Sequence, residues 1–467
     1  MPESRPISFP PRRQPNRCVT APPPPNEERG DGSAVFLGWR LPDERGGFGF
    51  GPAPRSQPAP DTPLLYGGDS HLMTIAPTGA GKGVGVIIPT LLTYTGSAIV
   101  IDIKGENYQV TARRRREMGQ QVVALDPFRL VTDGADALNP FDVFNLPGAD
   151  PECDAEMLAA QFAVGHEFGA DRYWEDTGKG LLSGLIAHIA TTAKPEERNP
   201  TALRNLLYHD DLDYHLAVQL DEKAVTSGLA RDEFVGYLSA PSDKTRPCIR
   251  SAALTYVKCL GSQAAARALE RSTFALADLL EGKPLTVYLI VPPEKLESHR
   301  ALLRLWVATL LTAVVRRKRL PERRTLFLLD EAAQLGRMPL LRQAITLLRG
   351  YGLQTWTFWQ DLSQLRRLYR HDWPTMVGNA AVLQVFGVPP HAAGIGWSTL
   401  LGRQARELHR LGRDEMLLVM PDESCQRQRR GNYLRDEMFS GLFDANERFI
   451  RGQAVARPRV LQTLRRG

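Results

Sequence analysis

Cysteine is scarce in this chain. The five residues (Cys18, Cys153, Cys248, Cys259 and Cys425) are scattered over 467 positions, and no two form a C-x-x-C pair. That scatter argues against a disulfide scaffold and against a thiolate zinc site, and the cysteines read as reduced thiols of a cytosolic protein. The nine histidines show no metal-ligand spacing either. Long apolar runs are also missing. The N-terminal stretch MPESRPISFPPRRQPNR has no apolar core of the kind a signal peptide carries. The most apolar helical run, LWVATLLTAVV from Leu305 to Val315, is followed at once by RRKR. It falls well short of the roughly 20 residues that a spanning helix needs. It is expected to be a buried core helix, and the chain to be soluble.

What is present is enough apolar material, 43% of residues, for two or three domains with real cores. Arginine greatly outnumbers lysine, the net charge is +6 and the pI is near 9.1. Such mild basicity permits nucleic-acid contact without demanding it. Residues 1–60 are rich in Pro, Arg, Gly and Ser, with APPPPNEERGDG and GPAPRSQPAP, and are expected to form a disordered arm whose removal spares the core. From Leu64 the texture changes. LMTIAP, SAIVIDI and QVVALDP are short β-rich runs separated by glycine turns or helical stretches, the alternation of a parallel α/β sheet. Residues 151–272 read as helices, and strands resume at LTVYLIVP, RTLFLLDEA, LQTWTFWQ and AAVLQVFGV. The expected architecture is one α/β nucleotide-binding domain in two parts, 61–150 and 273–395, interrupted by an all-helical insertion. The segment 396–467 stays unassigned.

The stretch TIAPTGAGKGVGVIIPTLL, Thr74 to Leu92, follows a strand and opens a plausible helix. That context suits a phosphate loop, whose backbone N–H groups and helix N-terminus cradle phosphate while a lysine reaches the β- and γ-oxygens. Here Thr78, Gly79, Ala80, Gly81, Lys82, Gly83 and Val84 would form the cradle. The pattern G-x-x-x-x-G-K-[ST] is incomplete, because Ala76 stands at its first glycine and Gly83 at its hydroxyl position. A tight glycine turn is the alternative. The second signal is TLFLLDEAAQLG, an apolar strand ending in Asp330 and Glu331. Beside a phosphate loop, Asp330 would hold the water shell of Mg²⁺ and Glu331 would polarise the attacking water. A helix cap is the plainer use of such an aspartate. Together the two motifs predict ATP binding and hydrolysis, with water replacing the Mg²⁺ ligand missing at Gly83.

APTGAGKGVGVIIPTLL, AIVIDIKGENY, LDPF, NPFDVF, LLDEAAQLG, LLRGYGLQTWTFWQDLSQL and VGNAAVLQVFGV together resemble the TraG/TraD-type coupling proteins of type IV secretion. The resemblance runs from about Leu64 to Val388 in matching order, and family members often carry this same glycine after the loop lysine. It implies a RecA-like P-loop ATPase with an all-alpha domain in place of the helical insertion, working as a hexameric ring. Such a motor feeds DNA or protein substrates, among them a relaxase-like substrate complex, to channel components at the inner membrane. By position, Lys82 matches the loop lysine, Asp330 and Glu331 the acidic motif, and Gln360 a glutamine that senses the γ-phosphate. Arg349 matches an arginine that reaches the neighbouring subunit's nucleotide. Asp102 either supports the magnesium site or caps a turn. Family members usually have N-terminal transmembrane helices where this chain has its proline-rich arm, so attachment to the cytoplasmic face of the inner membrane would need a partner. A cytosolic ring-shaped DNA translocase and a non-hydrolysing nucleotide-bound adaptor are the competing readings. RRRR at Arg113–Arg116, RRLYR at Arg366–Arg370 and the terminal RPRVLQTLRRG are candidates for neutralising DNA phosphates, or are solvated charged faces.

Overall fold

Eleven strands among the described residues share one sheet. In chain order they are β1 (Val35–Trp39), β2 (Pro63–Tyr66), β3 (His71–Ile75), β4 (Ala98–Ile101), β5 (Gln121–Leu125), β6 (Leu285–Leu289), β7 (Thr325–Leu329), β8 (Leu353–Trp359), β9 (Ala380–Val385), β10 (Glu415–Val419) and β11 (Cys425–Arg429). Across the sheet they run β2-β1-β11-β10-β9-β3-β8-β7-β4-β6-β5. From β9 to β5 every pairing is parallel, and from β9 outward through β10, β11, β1 and β2 every pairing is antiparallel. The structure, a computed structural model, describes residues 34–41, 62–163, 172–389, 396–420 and 424–446.

The parallel strands are mostly apolar because both faces are covered. Polar residues buried among them are bonded, Thr74 donating to Gln384, Gln384 to the Leu37 carbonyl and Gln354 to the Ser70 carbonyl. Alternation along β7 divides its side chains between two cores. Leu326 and Leu328 join Val86, Ile87 and Leu91 of the helix after the glycine loop, whereas Phe327 and Leu329 join Trp306, Leu310 and the helical layer. The run read as a core helix is one: Arg300–Val315 buries twelve of its residues, Leu302 to Leu311 plus Ala313 and Val314. Between β5 and β6 the described residues hold helices and turns. Several helices there start on a side-chain cap, with Asp150 accepting from the N–H of Glu152 and Cys153, Asn199 from Ala202, Asp211 from Tyr214 and Ser227 from Ala230. Arg316, just past the core helix, ties this layer to that helix by pairing with Asp154 at 2.5 Å and donating to the carbonyl of Val143.

Two boundaries expected from the sequence need correction. Val35–Trp39 lies inside the segment read as a disordered arm, yet every residue of β1 is buried. Phe36 stacks edge-on against Phe439 and Trp39, and packs with Ile88 and Leu92 of the helix after the glycine loop. The indole N–H of Trp39 donates to Asp436 at 2.7 Å. At Gly38 the strand bulges so close to β11 that an added Cβ would meet the Arg429 carbonyl oxygen at 2.5 Å. The unassigned tail likewise supplies β10 and β11, which continue the sheet from β9 to β1.

Candidate nucleotide site

β3 ends at the glycine loop. Its ladder is extended by the N–H of Ala76 donating to the Trp359 carbonyl at 2.9 Å, after which the chain turns with Ala80 N–H on Pro77 O. Gly79 and Gly81 adopt φ of +79° and +91°, values that a side chain would strain, so glycine is required at both. Thr78 and Gly79 are exposed at the loop tip, while Ala80, Gly81, Gly83 and Val84 are half-buried. Gly85 N–H bonds Gly81 O at 2.8 Å and Ile88 N–H bonds Gly83 O, so the helix opens in wide π-type turns over Gly83–Ile87. Such turns are rare and concentrate at functional sites.

Strand order brings the remaining groups together. β8 lies between β3 and β7, so the loop after β3, Gln360 after β8 and the acidic pair after β7 emerge at the same end of three adjacent parallel strands. Lys82 is buried, with Nζ 3.2 Å from Glu331 Oε1 and donating to Ala76 O at 3.1 Å. Gln360 Nε2 donates to Glu331 Oε2 at 2.8 Å, and its own N–H is held by Gln364 Oε1 at 3.0 Å. Glu331 thus accepts from the lysine on one oxygen and from the glutamine on the other, on a left-handed backbone at φ +53°. Asp330 sits behind it. Burial and the neighbouring Glu331 carboxylate push its pKa up to about 6, and its Oδ1 is buried with no hydrogen-bond partner among the described groups. A buried carboxylate oxygen facing the loop lysine is suited to a magnesium ion or one of its waters. Within the described residues no cluster of three or more ligating side chains forms a closed metal cage.

Asp102, just after β4, accepts from the Tyr108 N–H in the first turn of the helix Glu106–Glu117 at 2.8 Å. Burial pushes its pKa up to about 7. Arg349 is not brought to this site. It precedes β8 while Gln360 follows it, so the two lie at opposite ends of a seven-residue strand, roughly 23 Å of extended chain. There the guanidinium pairs with Asp69 on the exposed surface. In the RRRR run, Arg115 is fully buried, donating to the carbonyls of Tyr94 and Gly96 and to Thr286, and burial lowers its pKa to about 10. Arg113 is committed to Glu117 and Asp444, and Arg114 to Glu117. Arg115 therefore takes no part in a DNA-facing surface, because its donors already satisfy backbone carbonyls. Arg366 lies over the Trp373 ring at 4.6 Å. The terminal RPRVLQTLRRG lies outside the described residues.

One residue at the loop went unread from sequence: Arg430, which follows β11 and donates to Ala80 O at 2.5 Å. Nothing local marks it, since it sits in a polar, arginine-rich run, RQRRG, of the unassigned tail.

Across residues 43–437 the chain matches the family described as type IV secretory system conjugative DNA transfer. It belongs to that family. The chain is 27% identical over 335 residues to the conjugal transfer protein TraG of Escherichia coli, covering 66% of this chain and 51% of that protein. It is 30% identical over 328 residues to the protein VirD4 of Rhizobium radiobacter, covering 66% of this chain and 44% of that one. The chain thus spans about half the length of the curated relatives it matches. Among solved structures, the plasmid coupling protein TrwB in complex with ADP and Mg²⁺ superposes with a TM-score of 0.58 at 17% identity, covering 77% of this chain and 85% of that one. The fold is accordingly the TrwB-like P-loop NTPase fold, an α/β RecA-like sheet with parallel strands around the loop. No helix among the described residues is long and apolar enough to cross a membrane.

Proposed function

We propose that the protein is an ATP-hydrolysing motor that couples DNA, or a relaxase-like protein–DNA complex, to a type IV secretion channel. The observation that carries this reading is the convergence of Lys82, Glu331 and Gln360, three side chains from three adjacent strand ends joined at 3.2 and 2.8 Å. When ATP enters, Lys82 exchanges Glu331 for the β- and γ-phosphate oxygens. That frees one carboxylate oxygen of Glu331 to accept a proton from the attacking water, while Gln360 keeps the carboxylate oriented and lies within reach of the γ-phosphate. Asp330, with its buried Oδ1, would hold Mg²⁺ through water. Such an ion would supply charge neutralisation for the phosphates, and a Cβ built on Gly83 meets nothing within 4 Å among the described residues, so the position of the missing hydroxyl is open.

Arg349 cannot serve the site of its own chain, being at the far end of β8, and on this reading it serves a neighbour's site in a hexameric ring. To do so it gives up its surface pair with Asp69. Family membership and the relatives' names, which speak of conjugal transfer and type IV secretion coupling, support a DNA substrate and channel partners; their place at the inner membrane is part of the proposal. The test uses two variants. Glu331→Gln is expected to bind ATP and lose turnover by about 10²–10³-fold, the scale of a positioned base. Arg349→Ala is expected to bind and turn over poorly. Mixed together, they should recover activity, because a subunit with an intact Glu331 then faces a neighbour with an intact Arg349. Turnover by Glu331→Gln at the wild-type rate overturns the role given to that carboxylate, and absence of ATP turnover in the wild-type protein overturns the motor assignment. An inactive mixture with proven subunit exchange overturns the arginine in trans.

A further inference from the structure

Arg430 reaches the phosphate loop from the side opposite Lys82's strand-end partners. It leaves β11 on the same end of the sheet as the loop, and the segment it begins packs on the loop helix, with Tyr433 N–H on Val84 O and Gly431 O close against Gly85. One terminal nitrogen of its guanidinium donates to Ala80 O at 2.5 Å, and stands where a Cβ on Gly81 would lie 3.2 Å away. The other donates to Arg413 O at 2.5 Å. Its Nε is buried without a partner among the described residues, and the group lies 4.6 Å over the Phe386 ring at the end of β9. The side chain is 11% exposed, and among the described residues its ion-pair contact is Asp414 at 3.9 Å, a carboxylate that is 64% exposed and therefore well screened by water. Burial lowers the pKa of the guanidinium from its ordinary value.

A buried cation with so weak a counter-charge costs stability unless an anion meets it. Three other buried arginines, Arg115 and Arg304 in helices and Arg317 just after one, also bond backbone carbonyls, but those of Tyr94, Leu335 and Leu279, none of them in the glycine loop. Arg430 differs in lying on the loop whose N–H groups collect phosphate. We propose that Arg430 is a second cation of the nucleotide site, a positioning residue that fixes the loop through Ala80 and whose charge is neutralised by the bound phosphates. The proposal rests on the nucleotide-binding reading above. It predicts that the unassigned tail contributes to nucleotide affinity, for ADP as much as ATP, because the charge acts on the cradle rather than on the reacting bond.

The test measures ADP affinity of the full chain by titration, with Lys82→Ala as the reference for a lost site. Arg430→Gln removes the charge and keeps one amide donor for a carbonyl. It is expected to weaken ADP binding roughly tenfold, the scale of a charge acting across a partly buried site. Its nucleotide-free Tm should stay within about 3 °C of wild type, since a poorly compensated charge is lost along with the bonds. Arg430→Lys keeps the charge and loses the planar fork, and is expected to bind ADP within about threefold of wild type. A merely structural strut would give the opposite pattern, with a large fall in nucleotide-free Tm and equal losses in both variants. Arg430→Gln binding within twofold of wild type, or Arg430→Lys failing as badly as Arg430→Gln, overturns the proposal. If Arg430→Gln does not fold, the Arg430→Lys affinity decides alone on the same threshold. Absence of ADP binding in the wild-type protein would instead overturn the nucleotide reading on which this one stands.

Discussion

The parallel and antiparallel parts of the sheet were written in the sequence in different ways. β3 to β9 are sandwiched between two cores, so both faces demand apolar residues, and VYLI, LFLL and LQTWTFW announce themselves. β11 is CQRQR, with no apolar alternation at all. It forms a strand because β10 and β1 supply its hydrogen bonds and because polar side chains find partners: Gln428 accepts from the Leu41 N–H at 2.9 Å, and Arg429 pairs with Asp436 at 3.0 Å while covering Trp39. Chemistry divides along the same line. The parallel part carries the groups that would act on ATP, and the antiparallel part holds the loop and its helix in place.

The sharpest way to separate the two is Lys82→Ala. Removing the buried lysine from the parallel part should abolish nucleotide binding, a loss of at least about a hundredfold, since the phosphate charge loses its main partner. Thermal unfolding without nucleotide should change little, because Glu331 keeps its bond from Gln360. A variant that unfolds at room temperature would show that the Lys82–Glu331 pair is chiefly structural.

Phe36→Ala is the matching cut in the antiparallel part. Phe36 is fully buried between Phe439, Trp39 and the loop helix, so truncation should cost about 3–5 kcal/mol in denaturant melts. Nucleotide affinity should fall with it, because Ile88 and Leu92 of the loop helix lose a packing face. Deleting residues 1–60 removes the whole of β1 and should do at least as much damage, whereas deleting residues 1–33 leaves the strand intact. Equal stability of the two truncations would show that β1 is dispensable.

The loop and the acidic pair of the candidate site were legible because each sits at the end of a strand whose apolar run can be read locally, whereas Gln360 was named only through the family resemblance. That they meet was not legible, since it depends on β8 inserting between β3 and β7 although it follows both in sequence. Arg430 was not legible either, for its approach to Ala80 is made by an antiparallel hairpin whose polar strand gives no periodic signal. The RRRR run shows the converse. Composition offered four cations to DNA, and the fold spends Arg115 on carbonyls at a helix–strand junction.

Acid should probe the parallel part through His71, at the start of β3. Its Nδ1 accepts from the Thr355 N–H at 3.1 Å, its Nε2 is buried without a partner among the described residues, and burial, helped by the charge of Arg349, lowers its pKa to about 4. The folded value lies below the unfolded one near 6.5, so the unfolded chain takes up the proton first. The stability from keeping His71 neutral is complete above about pH 6.5 and is lost as pH falls toward 4, about 3 kcal/mol at most. His71→Asn retains an acceptor for Thr355 and cannot be protonated there. Its unfolding free energy should fall less steeply between pH 6.5 and 4 than that of wild type, and parallel curves would show that His71 does not titrate in the fold.

The smallest effect is expected at Gly83, where the phosphate-loop pattern asks for a hydroxyl. A Cβ built on Gly83 meets nothing within 4 Å, and the residue sits in the first helical turns of the loop helix without a left-handed backbone. Neither space nor conformation requires glycine. Gly83→Ser should therefore fold normally and gain up to about 0.5 kcal/mol from reduced freedom of the unfolded chain. If the magnesium reading of Asp330 holds, the new hydroxyl, at the position where the phosphate-loop pattern has its Ser or Thr, would replace one water of the ion. Magnesium should then be needed at a few-fold lower concentration for half-maximal ATP hydrolysis, with the maximal rate within about twofold of wild type. A hydroxyl that clashes with the ion's shell would raise the magnesium requirement instead. That outcome would mean the loop is built around the missing ligand, and that a water at Gly83 is a fixed part of the site.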